Sequence, residues 1–258
     1  MRVIESAHEM AQVCRRAGRI LGLVPTMGAL HEGHLSLVSR ARAENETLAV
    51  SVFVNPAQFG NPQDLDGYPK DLERDSELLK NEGTDLVFTL RPSQIYPAGF
   101  DTWIDVGASG DKLEGAHRPG HFRGVATVVA KLFNVLGPDL AYFGQKDGQQ
   151  SLVIKQMVRG LDLELGIVVC STIRQADGLA MSSRNARLNA EQMKAAPVVY
   201  RSLCRAEDLW RSGQRDAGVL RQEARVILER EDIVEGVDYV SVAVPHTLDE
   251  LEAGQTRY

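Results

Sequence analysis

Two apolar runs, a helix-length apart, restrict this chain to a small set of folds. "ILGLV" (Ile20 to Val24) and "LAVSVFV" (Leu48 to Val54) are apolar at successive rather than alternate positions, and "HLSLVSRARAE" between them has helical character. A strand that is apolar on both faces must be covered on both faces, which is the condition of a parallel sheet flanked by helices. The unit then recurs. "DLVFTL" (Asp85 to Leu90) follows the polar helical segment "LERDSELLKNEG", and "DLAYFG" follows "VATVVAKLFNVLG". In the latter, Val125, Val128, Val129, Leu132, Phe133 and Leu136 form one helical stripe, closed by Gly137 and Pro138. A helix over "QQSLVIKQMVRG" leads to "LELGIVVC", and an opening helix is expected from Ser6 to Ala17, with Ser6 as cap, Glu9 at the capping-box position and Gly18 at its end. The fold expected is α/β, a doubly wound, Rossmann-like parallel sheet over residues 1–172.

Past that point the pattern changes. "MSSRNARL" reads as a polar loop, Ala190 to Ser212 and Ala217 to Glu231 as two helices, and "VDYVSVAV" (Val237 to Val244) as a strand, so a smaller α+β lid domain is expected over residues 173–258. The 258 residues are 43% hydrophobic and 25% charged, enough for a substantial core. A net charge of −6 argues against a nucleic-acid surface, which needs clustered Lys and Arg. "MRVIESAHEM" has no long apolar core and no window reaches the length of a membrane span, so a cytoplasmic protein without membrane association is expected. Cys14, Cys170 and Cys204 lack a CxxC pattern and read as free thiols of a reducing compartment.

The residues suited to chemistry collect where strands hand over to helices. In open parallel sheets, ligands bind outside the carboxyl ends of the strands, and a helix N-terminus offers N–H donors to phosphate. "PTMGALHEGH" occupies such a junction: Gly28 and Gly33 permit close approach of backbone to a nucleotide, and His31 and His34 bring donors to phosphate oxygens. An isolated HxxH also reads as a plain turn with solvent-facing histidines, or as a weak metal site, although zincins place their ligands at i and i+4. The chain has neither a GxxxxGK loop nor a GxGxxG fingerprint, so other phosphate ligands are required. "GQKDGQQ" supplies Lys146, and Asp147 as a holder of the magnesium that travels with a polyphosphate; its plain reading is a surface turn with a Lys–Asp pair. "MSSRN" adds two hydroxyls and a guanidinium from a loop. "FVNPAQFG" places Asn55 and Gln58 at the same carboxyl edge, where Gln58 and Gln150 suit a small hydroxy acid. Arg118, His121 and Arg123 in "LEGAHRPGHFRG" either help the site or are helix-entry and interface residues.

Taken in order and spacing, "PTMGALHEGH", "FVNPAQF", "LEGAHRPGHFRGV", "FGQKDGQQ" and "DGLAMSSRN" resemble the pantoate–β-alanine ligase family, of the HIGH-type nucleotidyltransferase superfamily, over residues 20–190. The resemblance implies ATP-dependent joining of (R)-pantoate and β-alanine through a pantoyl adenylate, with release of pyrophosphate and AMP, magnesium accompanying ATP, and a homodimer. It implies that Met27, Gly28, Ala29, Leu30, His31, Glu32, Gly33 and His34 line the ATP site, with His34 as proton donor and His31 as its partner on the phosphates. Gly144, Gln145, Lys146, Asp147, Met181, Ser182, Ser183 and Arg184 are further expected ATP ligands, with Ile173 touching adenine through backbone. Lys146 and Arg184 are expected to stabilise charge on the phosphates. Gln58 and Gln150 are expected to hold pantoate, Gln58 also lying near β-alanine.

Three positions depart from the family pattern. Gly148 stands where an aromatic residue is usual, Gln145 where glutamate is common, and the chain stops after "VPHTLDELEAGQTRY", where relatives usually continue. The last departure leads to the expectation that a final strand of the smaller domain is missing, with activity rather than fold at stake. Two other functions compete: a nucleotide-binding relative without turnover, and a metal-dependent hydrolase using His31, His34, His117 and His121.

Overall fold

The apolar runs become central strands of a six-stranded, all-parallel sheet in a computed structural model that describes residues 1–17 and 20–254. The strands are β1 (Arg2–Ile4), β2 (Leu21–Thr26), β3 (Thr47–Val52), β4 (Leu86–Thr89), β5 (Leu140–Gly144) and β6 (Gly166–Cys170), in the order β1-β4-β3-β2-β5-β6. Sequence patterning finds the last five and misses β1, whose three residues are too few to show a period. The first helix, α1 (Ala7–Arg16), begins as expected, with the Ser6 hydroxyl accepting from the Glu9 N–H at 3.4 Å. Gly18, expected to close it, lies outside the described residues.

Alternate side chains of each central strand enter different cores, because successive Cβ atoms point to opposite faces. Leu23, Ala49, Phe88, Ala141 and Phe143 pack on one face against Met10 of α1 and against Val125, Leu132 and Phe133 of the helix His121–Leu136. Val24, Leu48, Val50, Val87 and Tyr142 pack on the other against Leu37, Val38 and Ala41 of α2 (Glu32–Glu44) and Leu79 of the helix Leu72–Asn81. The strands read as continuous apolar runs for this reason.

The strand order places the site. From β2 the chain builds outward to β3 and β4 on one side, then returns to lay β5 on the other side of β2. The carboxyl ends of β2 and β5 therefore flank the point where the winding reverses, which is where open α/β sheets bind ligands. The segment after β2 is "MGALHEGH" and the segment after β5 is "QKDGQQ".

The chain forms two compact units: Met1–Asp111 with Arg118–Ile173, and Lys112–His117 with Arg174–Tyr258. In the second, helices Val198–Arg211 and Ala217–Glu229 pack together and are bridged by Arg205 and Glu223 at 2.7 Å. The single helix expected over Ala190 to Ser212 is two, Ala190–Ala195 and Val198–Arg211, divided at Pro197, which has no N–H to continue the first. The strand expected over Val237 to Val244 is not formed. Its backbone meets the Asp249–Leu251 segment through a tight turn, with one isolated bridge, Ala243 to Glu250, and apolar alternation cannot make a strand without a partner to ladder against. A second bridge joins Arg174 and Ala180. Among the described residues, no helix is long and apolar enough to cross a membrane.

Candidate active site

The two histidines of HxxH are the N-cap and third residue of α2. His31 is the N-cap, and its Nδ1 accepts the Gly33 N–H at 3.1 Å; His34 Nδ1 faces the His31 N–H at 3.4 Å. The pair forms a reciprocal capping box in which imidazoles replace the usual hydroxyl and carboxamide. The spacing in sequence follows from that geometry. The rings lie 4.0 Å apart. Because a backbone N–H can only donate, each Nδ1 is an unprotonated acceptor, so each neutral ring carries its proton on Nε2. Among the described residues, neither Nε2–H has a hydrogen bond like those made at Nδ1.

Burial lowers the pKa of His31, and the charges of Lys146 and Arg74 lower it further. For His34 the same causes, burial first and then His31 and Lys146, push it down to about 3. Both rings are neutral donors at ordinary pH. Lys146 acts on both from the turn Gln145–Asp147 that follows β5, so the two segments flanking the reversal point share one electropositive locality.

The loop entering α2 is held from the helix Leu72–Asn81. Gly28 and Ala29 have φ of +81° and +50°. The carboxylate of Asp75, 1% exposed, accepts the N–H groups of Ala29 and Leu30, each at 2.8 Å. Arg74 Nη1 donates to the Leu30 carbonyl at 3.0 Å, and Thr26 Oγ1 accepts the Gly28 N–H at 3.3 Å. The expectation that this junction offers free N–H donors to phosphate is corrected here. The amides of Gly28, Ala29, Leu30, His31 and Gly33 are engaged within the protein, which leaves this junction fewer amide donors than expected, and the imidazoles stand beside them as side-chain donors. Leu30 itself is a core side chain. Met27 and Ala29 are half-buried, and Glu32 is exposed on the first turn of α2.

On the β5 side, Gly144 ends the strand and Gln145, Lys146 and Asp147 are exposed. Asp147 precedes the helix Gly148–Gly160 without capping it, so its carboxylate is available. Gly148 has helical φ, and a Cβ there would meet nothing within 4 Å, so a side chain is tolerated at this departure from the family pattern. Gln150 is half-buried on the first turn of that helix.

Gln58 is held by a short turn, Pro56–Gln58, after β3. Asn55, 1% exposed, uses both ends of its amide. Its Oδ1 accepts from Ala57 N–H at 3.3 Å and from the Tyr96 hydroxyl at 2.7 Å, and its Nδ2 donates to the Gly124 carbonyl at 3.2 Å and to Gln58 Oε1 at 3.0 Å. Asn55, placed at the carboxyl edge from the sequence, thus holds the scaffold there, and Gln58 turns its NH₂ end away from it. Arg118 Nη2 and His121 Nδ1 both reach the Gln58 carbonyl, at 3.2 and 2.8 Å, while Arg123 lies over the Trp103 ring at 5.0 Å. Of the two roles left open for these three residues, Arg118 and His121 support the turn that carries Gln58.

Ile173 is half-buried at the end of the first unit. In the second, Ser182 caps the turn Ser183–Arg187 by accepting the Arg184 N–H at 3.3 Å. Met181, Ser182 and Ser183 are half-buried there, and Arg184 is exposed.

A family model described as pantoate-beta-alanine ligase matches residues 1–257. The chain belongs to the pantoate–β-alanine ligase family. A pantothenate synthetase from Chloroflexus aurantiacus is 53% identical over 252 residues, spanning 98% of this chain and 89% of the relative. The crystal structure of pantothenate synthetase from Thermus thermophilus superposes with a TM-score of 0.92 at 45% identity, covering 98% of this chain and 91% of that one. A pantoate-beta-alanine ligase from Francisella tularensis, solved in complex with beta-gamma ATP and beta-alanine, matches with a TM-score of 0.77 at 36% identity, over 88% and 86% of the two chains. The ligase family thus accounts for the sheet and for the segments at its carboxyl edge, and the enzyme is a ligase.

The hydrolase alternative lacks a ligand set. His31 and His34 spend Nδ1 on backbone, His121 holds the Gln58 carbonyl, and His117 stacks on Tyr239 in the second unit at 5.4 Å. Among the described residues, no group of three or more His, Cys, Asp or Glu could hold a metal. Sequence reading missed Asp75 and Tyr96. Asp75 had a signal: it lies three and four positions before Leu78 and Leu79, on the face that buries Leu79, where a carboxylate needs a reason.

Proposed function

We infer that the enzyme joins (R)-pantoate to β-alanine in two steps through a pantoyl adenylate. In the first, a pantoate carboxylate oxygen attacks the α-phosphorus of ATP, a P–O bond forms, and the bond to the bridging oxygen breaks as pyrophosphate leaves with its electron pair. In the second, the neutral amine of β-alanine attacks the acyl carbon, the C–O bond to AMP breaks, and the nitrogen gives up a proton. Direct attack on a carboxylate would have to expel oxide; the adenylate provides a stable leaving group instead.

The observation that carries this reading is the pair of imidazoles with Nδ1 committed to backbone and Nε2–H kept free, beside Lys146, where the sheet reverses its winding. Two neutral donors and one ammonium suit a triphosphate, and they gain strength as charge moves to the departing pyrophosphate. Lys146 neutralises that charge, with the Gly144–Asp147 turn as further ATP ligands and Ile173 at adenine; Met181, Ser182, Ser183 and Arg184 are assigned to ATP from the family motif alone. Gln58, by its NH₂ group, and Gln150 hold pantoate. Asp147 is exposed and its side chain does not cap the helix, so it would be the carboxylate to hold a magnesium ion, which would supply charge neutralisation on the polyphosphate. The enzyme works in the cytoplasm as a homodimer.

The test is exchange of radiolabelled pyrophosphate into ATP. Pantoate-dependent exchange without β-alanine is expected, and His34→Ala is expected to lower its rate by about 100-fold, typical of losing a proton-transfer or charge-stabilising group. Nucleotide binding without exchange would favour the relative that has lost turnover.

A further inference from the structure

We propose that Asp75 is a positioning residue for the nucleotide: its carboxylate holds the left-handed turn at Gly28 and Ala29, and so sets the direction in which both histidines present their Nε2–H groups. The proposal rests on the reading of those histidines as triphosphate ligands. Asp75 touches no substrate in this reading; it acts through the loop.

Three observations meet at this residue. Ala29 has φ of +50°, a conformation a residue with a Cβ seldom adopts unless its surroundings impose it. The two N–H groups that Asp75 accepts, those of Ala29 and Leu30, belong to the strained residue and its successor, and the carboxylate lies in the protein interior at 1% exposure. Finally, the residue before Asp75 grips the same segment from its other side, Arg74 donating to the Leu30 carbonyl at 3.0 Å, its guanidinium 3.9 Å from the Asp75 carboxylate. Leu30 is therefore held by its N–H and its C=O from adjacent residues of one helix, and the next residue is His31, the N-cap.

A buried carboxylate is costly unless several donors face it, and here the donors are the loop. Loosening them releases the loop from its φ and lets the rings turn toward water. A merely structural aspartate would lower stability and leave the balance between substrates alone. A positioning aspartate acts on one substrate. His31 faces Lys146 and Arg74, and His34 faces His31 and Lys146, so neither ring titration depends directly on the Asp75 charge.

The experiment compares the full-length enzyme with Asp75→Asn, which keeps the shape but sets an NH₂ group against one of the two N–H donors. In pyrophosphate exchange, the KM for ATP is expected to rise about tenfold while that for pantoate stays within about twofold, as for a ligand group displaced by a fraction of an ångström. By NMR, the His34 ring is expected to titrate nearer the ordinary histidine value as it gains solvent. The double variant Ala29→Gly, Asp75→Asn is made alongside, since glycine takes positive φ without cost; it is expected to recover most of the ATP KM, and it serves where the single variant does not fold. An Asp75→Asn enzyme with unchanged ATP KM and unchanged His34 titration, measured where His34→Ala is impaired, overturns the proposal, as does a double variant without recovery. If His34→Ala also leaves the ATP KM unchanged, the phosphate reading itself has failed and takes the proposal with it.

Discussion

His31 and His34 are chemically ordinary residues made unusual by position. At the N-cap and third positions of α2 they give up one ring nitrogen each to backbone, and burial beside Lys146 keeps His34 neutral down to about pH 3. An empty site therefore holds donors without charge, and a helix N-terminus reinforces that by disfavouring a cation. A bound triphosphate reverses the balance, because anions within a few ångströms favour the protonated ring. We expect the His34 pKa to rise by about a unit or more when ATP is added, measured by NMR on histidine-labelled enzyme. An unchanged titration would remove His34 from the phosphates. From "HLSL" onward the sequence predicts a helix, but HxxH alone leaves a turn, a metal site and a phosphate site all open. Hydrogen bonds to Nδ1 fix which ring nitrogen each histidine presents, and those depend on where the helix starts.

At the scale of elements, the helix His121–Leu136 shows how far pattern reading reaches. Its apolar stripe and its Gly137 end are legible, since both are local and periodic. Its close approach to the Pro56–Gln58 turn is not. A Cβ on Gly124 would overlap the Ala57 carbonyl oxygen and lie 3.0 Å from the Gln58 N, so only glycine lets helix and turn meet. Gly124→Ala is expected to destabilise the protein by about 1–3 kcal/mol, the usual cost of overpacking against atoms that cannot yield. Denaturant titration measures that loss; a midpoint equal to the parent's would mean the turn is free to move. The second unit gives the opposite lesson. "VDYVSVAV" has the alternation of a strand, yet among the described residues only its Ala243 bridges, because pairing is decided by what lies alongside and not by the segment itself.

For the molecule as a whole, the depressed pKa of His34 couples the site to stability. The native state leaves this ring unprotonated until about pH 3, whereas in the unfolded chain it binds a proton below about 6.5. Between those values the unfolded state holds more protons, so stability rises with pH across the window and is lost as pH falls through it. The loss should be on the order of 1–3 kcal/mol by about pH 4. Thermal melts at a series of pH values, with His34→Gln as control, test this: the parent's Tm should fall toward acid more steeply than the variant's.

What the sequence determines by itself is whatever repeats or lies close along the chain: five of the six strands, the layering of helices on both faces, the helix ends marked by Ser6 and Gly137, and the motif segments that mark the family. Tertiary structure alone decides what those segments do to one another. Asp75 is 46 residues from Ala29 and reads as one more charge on a polar helix until the fold brings its carboxylate to the loop. Arg118 and His121 leave two roles open in sequence, and only the fold brings both to the carbonyl of Gln58, 60 and 63 positions away. Periodicity reports which face a residue occupies, because burial is averaged over a whole element. A hydrogen bond between distant residues has no period, and its partners exist only once the sheet has put the carboxyl ends of β2, β3 and β5 side by side.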